Sequence, residues 1–167
     1  QKELLQLGEG DLLLIEGIHA LNPDVVQIPD KSSARLYISV RTRVADGGLV
    51  LHPAKIRLLR RMVRDRLYRS RSVEETLRLY DSVQRGEGLY IMPHKHRATH
   101  EIDTFFPYEI GAYRPLLLQD LLGLDPQALA PIQDLLQILT NAAPLREAFV
   151  PRSSMIREFI GNGQFAY

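Results

Sequence analysis

The most concentrated chemistry in this sequence is cationic. From Lys55 to Arg71 it reads KIRLLRRMVRDRLYRSR, with eight basic side chains and one acid, Asp65. These seventeen residues carry a formal +7 while the whole chain carries +1, so the remaining 150 residues sum to −6. Like charge gathered this way is unfavourable unless an anion neutralises it. At 100° per residue, Arg57, Arg60, Arg61, Arg64 and Arg71 fall within one arc about 100° wide. Leu58, Leu59, Met62, Val63 and Leu67 take the opposite side, which predicts an amphipathic helix. Arg66 lies in the apolar arc and Arg69 also breaks the pattern, so the helix is expected to fray or turn near Ser70. A solvated helix face ordinarily mixes signs to gain i,i+4 pairs, and this one does not. Arginine's planar fork binds phosphate in a bidentate way and stays charged. A solvated face and a phosphate-recognising face therefore stand side by side as readings.

A second candidate is Glu16. Leu12 to Ile15 is a continuous apolar run, the pattern of a strand buried on both faces, and it stops on Glu16-Gly17. Ligands of open α/β sheets sit at the carboxyl ends of the strands, where a carboxylate can hold Mg²⁺ directly or through water. The competing reading is a glutamate that caps the following turn. His94, His96 and His100 invite a zinc site, but no acid or cysteine completes the set at a usual spacing. A polar loop beside the basic helix is the expectation there.

These residues need elements to position them. RLYISV, Arg35 to Val40, alternates and is rich in strand formers. Residues 41–53, with Gly47, Gly48 and Pro53, read as a loop leading into the basic helix. Ser72 followed by Val-Glu-Glu is a helix N-cap with acids in the first turn, opening a helix that runs past Tyr80 towards Gly86. Ile102 to Phe106 is expected as a third short strand, ended by Pro107. Tyr108 to Leu122 is expected to be helical, with Pro115 marking a start or kink. Pro126 to Thr140 is expected as another helix, and the tail from Pro151 carries a serine cap at 153 or 154 and a glycine stop at 161. Strands alternating with helices imply an α/β fold with a mainly parallel sheet of about three strands.

At 167 residues the chain suffices for one packed domain. The absence of cysteine excludes disulfides and thiolate chemistry and fits a reducing, cytoplasmic setting. No apolar run approaches the roughly 20 residues of a membrane span, so no membrane partner is expected. The chain opens at Gln1 on what reads as mid-sequence material, and a longer protein is expected around it. Oligomeric state is left open, a homo-oligomer included.

IEGIHALNP (Ile15 to Pro23), RLLRRMVRD (Arg57 to Asp65), RSRS (Arg69 to Ser72), SVQRGEG (Ser82 to Gly88), EIDTFFPYE (Glu101 to Glu109) and VPRSSMIREFIG (Val150 to Gly161) occur in this order. With them the chain resembles the uridine kinase / phosphoribulokinase family over most of its length. The resemblance implies the C-terminal part of a kinase domain spanning residues 1–167. It implies a partial three-layer P-loop NTPase-like fold, with a lid-like basic insertion at 49–98 and a helical tail at 126–167. It implies transfer of the γ-phosphate of ATP or GTP, with Mg²⁺, to a nucleoside such as uridine or cytidine or a related small hydroxyl compound. By the same resemblance Glu16 is the metal-side acid. Arg61, Arg64, Arg69 and Arg71 are implied to belong to a mobile lid over the nucleotide phosphates and acceptor, with Glu16, Arg61 and Arg64 catalytic and Arg57, Arg60, Arg69 and Arg71 binding the nucleotide. The departures are Lys55 and Ser70, where the family usually has an acid and a glycine, Tyr80 at a tryptophan position, and the lack of any GxxxxGK[ST] phosphate loop. Two alternatives follow: a degenerate nucleotide-binding regulator, and a phosphate or nucleic-acid binding module. For nucleic acid the basic helix is short and lacks a stacking surface beside it.

Overall fold

A computed structural model describes residues 4–165. The strands come first. β1 (Leu36–Ser39) and β4 (His100–Asp103) pair in parallel, with Leu36 opposite His100 and Ser39 opposite Asp103. Between them in sequence lies an antiparallel hairpin, β2 (Val44–Asp46) and β3 (Leu49–Leu51). The expected sheet of about three strands is thus corrected to two separate two-stranded sheets, one of them parallel. The hairpin falls where a loop was expected. Its signal was Gly47-Gly48, whose φ values of 53° and 88° suit the two central positions of a tight hairpin turn.

The strand expected at Leu12 to Ile15 is not formed. The segment is extended and unpaired, with Leu12 98 % and Leu14 86 % exposed. A strand exists only through neighbours that accept its backbone hydrogen bonds, and among the described residues none lies beside it. The parallel pair is also open: Leu36, Ile38 and Ile102 are all exposed.

The helices carry the core. α1 (Pro53–Tyr68) starts on His52, whose Nδ1 accepts from the Ala54 N–H at 3.2 Å, with Pro53 preset for the first turn. α2 (Val73–Tyr90) opens on a reciprocal capping box between Ser72 and Glu75. α2 continues through Gly86 and Gly88, and a 3₁₀ segment follows at Met92–Arg97. α3 (Glu109–Leu122) holds Pro115 in its interior. The single helix expected at 126–140 is divided into α4 (Pro126–Leu129), a 3₁₀ turn at Ala130–Ile132, and α5 (Gln133–Asn141). Pro131 accounts for the break, since it lacks an N–H and its ring collides with the preceding turn. α6 (Arg157–Ile160) is one turn long, with Ser154 Oγ accepting from the Ile156 N–H before it and Gly161 at φ 86° after it. Among the described residues no helix is long and apolar enough to cross a membrane.

α1 lies at the centre of this core rather than on its rim. Ile56, Leu58, Leu59, Met62 and Val63 are buried with Tyr113, Leu117 and Leu121 of α3, Leu135 and Leu139 of α5, and Ile156 and Phe159 of the tail. Arg60 is buried in the same core. Its Nε and Nη2 donate to Glu109 at 2.7 and 2.9 Å, and Nη1 and Nη2 donate to the Thr104 side chain and carbonyl at 3.1 and 2.5 Å. Glu109, fully buried, also accepts from the Phe106 N–H and the Tyr113 hydroxyl. Burial works against the Arg60 charge, but the Glu109 hydrogen bond and its charge outweigh it and hold the guanidinium above its ordinary pKa. Burial first, and then the Glu109 charge, push the Tyr113 hydroxyl far up, so it stays a neutral donor.

Removing one member strands the other in an apolar surround. Glu109→Ala should lower unfolding stability in denaturant melts by about 3–5 kcal/mol. The paired replacement Arg60→Met with Glu109→Leu should recover most of that loss, because neither buried charge remains.

Candidate functional site

The like-signed arginine face, which the sequence set against an external anion, is in large part neutralised by acids of other elements. Lys55 Nζ lies 2.7 Å from Asp134 of α5, and Arg57 Nη2 lies 2.6 Å from Glu87 of α2. Arg60 is held by Glu109, and Arg66 Nε lies 2.9 Å from Asp120 of α3. The signs do mix, but across elements instead of along one helix, which no i,i+4 rule reads.

Two arginines stand apart. Arg61 is half-buried and makes no hydrogen bond, ion pair or ring contact among the described residues. Arg64, one turn on, reaches Glu158 only at 3.5 Å and stacks 5.9 Å above the Phe159 ring. Its Nε is buried with no acceptor. An unmet guanidinium donor away from water is costly, so Arg64, with the unpartnered Arg61 one turn before it, is suited to receive an acceptor-rich anion.

The end of α1 supplies two more cations through one carboxylate. Asp65 is fully buried, and its Oδ1 accepts from Arg69 Nη1 at 2.9 Å. Its Oδ2 accepts from Thr76 Oγ1 at 3.3 Å and lies 3.6 Å from Arg71. The Asp65 carbonyl accepts from the Arg69 and Arg71 N–H groups, closing the helix end. Ser70 occupies the left-handed region at φ 51°, so the expected turn falls there. Arg69 and Arg71 remain nearly half exposed, 46 % and 43 %, with open guanidinium edges. Asp65 was visible in the sequence only as the lone acid of the run; its burial and hub position were not.

Other candidates are placed differently. Glu16 is exposed on the unpaired N-terminal segment and makes no hydrogen bond or ion pair among the described residues. Because the strand before it is not formed, it is not carried to the carboxyl edge of a sheet. Among the described residues no three His, Cys, Asp or Glu side chains group as a metal site, the histidines at 94, 96 and 100 included. Among the described residues there is thus no ready-made protein cluster for a divalent cation. For the nucleotide they offer guanidinium donors to phosphate, but no glycine-rich cradle. Asp103, at the end of β4, is taken up structurally: it accepts from Thr42 Oγ1 at 2.6 Å and from the Arg41 and Phe105 N–H groups at 3.0 Å. Slight burial acts against its charge, but these donors prevail and hold its pKa below the usual value. Lys55, the departure before the basic helix, donates to the Pro131 carbonyl as well as to Asp134, tying α1 to α5.

The turn at Ser70 gives a direct check. A left-handed backbone costs a side-chain-bearing residue about 1–2 kcal/mol, partly offset in glycine by its greater freedom when unfolded. Ser70→Gly should therefore raise unfolding stability by about 0.5–1 kcal/mol, and Ser70→Val should lower it by a similar amount, in paired thermal melts.

No protein-family model matches this chain, and neither the curated proteins nor the solved structures yield a match.

Proposed function

We propose that this chain is the arginine-bearing part of a phosphotransferase of the uridine kinase / phosphoribulokinase type. On this reading the whole enzyme moves the γ-phosphate of ATP or GTP to a hydroxyl of a nucleoside such as uridine or cytidine, or of a related small compound. The observation that carries the reading is the pair Arg61, half-buried with no side-chain partner among the described residues, and Arg64, whose Nε is buried without an acceptor. These are the positions to which the sequence resemblance gives a role at the reacting group. The open parallel pair β1–β4 adds support, since parallel strands ordinarily lie within a wider covered sheet, as a P-loop NTPase-like fold has.

In the transfer an acceptor oxygen attacks phosphorus in line, the bond to the nucleoside diphosphate breaks, and negative charge spreads over the three equatorial oxygens. Arg61 and Arg64 donate to those oxygens. Fixed guanidinium groups in a partly dry site stabilise such charge better than water, because they need no reorganisation as it develops. Arg69 and Arg71, aimed by Asp65, hold the remaining phosphates. The base that takes the acceptor's proton and the cradle for nucleotide and Mg²⁺ are assigned to residues other than those of this chain. Glu16 carries no step. A nucleic-acid module is disfavoured by the internal neutralisation of Lys55, Arg60 and Arg66.

Calorimetric titration of the purified chain with ATP should show salt-sensitive binding. Arg61→Ala and Arg64→Ala should each weaken it about ten- to a hundredfold, the range for a lost charged hydrogen bond. Circular dichroism should show both variants folded. Unchanged ATP binding in both would overturn the site, and γ-phosphate transfer to uridine by the 167-residue chain alone would overturn the division of parts.

A further inference from the structure

At the opposite end of α1 lies a second basic feature. A groove of about 400 Å³ opens where β1 ends and α1 begins, walled on its far side by α2 and the 3₁₀ segment after it. It is an open groove, wide enough for a small ligand and accessible from solvent. Neither Arg61 nor Arg64 lines it.

Four basic side chains line it from four segments: Arg41 after β1, His52 at the cap of α1, Arg57 in the second turn, and Lys95 of the 3₁₀ segment. Arg57 Nη1 reaches Ser39 Oγ at 3.5 Å while Nη2 holds Glu87. Lys95 Nζ sits 4.9 Å above the Tyr37 ring and 3.7 Å from Glu101, which also pairs with Arg41. Two acids thus face four bases. With Nδ1 accepting from the Ala54 N–H, neutral His52 carries its proton on Nε2 and is a donor there.

The helix dipole adds to this imbalance. The N-terminus of a helix carries about half a positive charge and ordinarily gathers acids, yet α1 has none in its first turn. His52 registers the local field. Burial is the largest cause lowering its pKa, and the Arg43, Arg57 and Lys55 charges lower it further against an opposing contribution from Glu87. The positive end of a sixteen-residue helix therefore faces cations across an open groove.

We infer that this groove binds a phosphorylated small molecule, its phosphate held by Arg57, Lys95 and His52 and its organic body against Tyr37 and Met92. Glu87 occupies the place of the phosphate on Arg57 until the ligand arrives, and keeps that side chain aimed into the groove. Phosphate brings more acceptor oxygens than a carboxylate and matches the guanidinium fork, so it displaces Glu87 with net gain of charge-assisted bonds. The site is separate from the Arg61–Arg64 pair and does not depend on the kinase reading.

The test is an NMR titration of the full chain that follows the His52 ring signals, with inorganic pyrophosphate in one arm and a nucleoside monophosphate in the other. The expected result is a saturable shift of His52 and a rise in its pKa as bound anion offsets Arg43, Lys55 and Arg57. Arg57→Gln should weaken pyrophosphate about tenfold or more, Glu87→Gln should tighten it several-fold, and Arg61→Ala should leave it unchanged. Tighter binding of the monophosphate than of pyrophosphate assigns the organic body to the groove; the reverse restricts the site to phosphate alone and removes that part of the inference. A His52 signal indifferent to both ligands in the wild-type chain overturns the inference, and this readout needs no variant to fold. Loss of the shift in Arg61→Ala would also overturn it, locating the anion at the other cluster and leaving the kinase reading intact.

Discussion

Arg60 and Glu109 set the terms for the rest of this structure. An ion pair enclosed by apolar side chains persists only if each remaining donor and acceptor is met. Here Thr104, Phe106 and Tyr113 meet them. The pair fixes α1 against α3 and so decides which way the arginine row faces. Given that constraint, Arg57 points to α2, Arg66 to α3 and Arg64 to the tail, where its acceptors are few, while Arg61 meets no partner among the described residues. The chemistry proposed for this chain rests on what that orientation leaves unmatched.

Much of the local structure was legible because it depends on neighbours in sequence. The Ser72 capping box, the stop at Ser70, the glycine stop at 161 and the apolar side of α1 each follow from residues within one or two turns. What failed to show depends on distant partners. The run from Leu12 to Ile15 has the composition of a buried strand, but composition cannot supply the strands that would bury it. Apart from Asp65, the acids that neutralise α1 come from α2, α3, α5 and the tail, so a helical wheel of α1 shows few of them. The hairpin was legible in principle from Gly47-Gly48 between Val44-Ala45-Asp46 and Leu49-Val50-Leu51, and was obscured by reading glycine as a loop marker alone.

For the candidate site the sequence indicated the residue type and spacing but not the ranking within the row. Arginines that look equivalent on a wheel divide into structural ones, such as Arg60, and unsatisfied ones, such as Arg64. His52 and Glu87 bear on the groove but belong to no motif of the basic run. Their relevance lies in the meeting of β1, α1 and α2, which sequence separation hides.

The distances along the chain between α1 and its acids carry a consequence for how the molecule assembles. Arg57 finds Glu87 30 positions away, Arg60 finds Glu109 at 49, Lys55 finds Asp134 at 79, and Arg64 finds Glu158 at 94. Until those later segments arrive, the helix is a rod of mutually repelling charge with a greasy stripe, and little holds it in shape. Contacts so far apart in sequence require the loop-closure entropy of the whole intervening span before they contribute anything. The elements that close the core around α1, namely α3, α5 and the tail, are also those that bring acids to its cations, so burial and charge compensation of this helix are coupled.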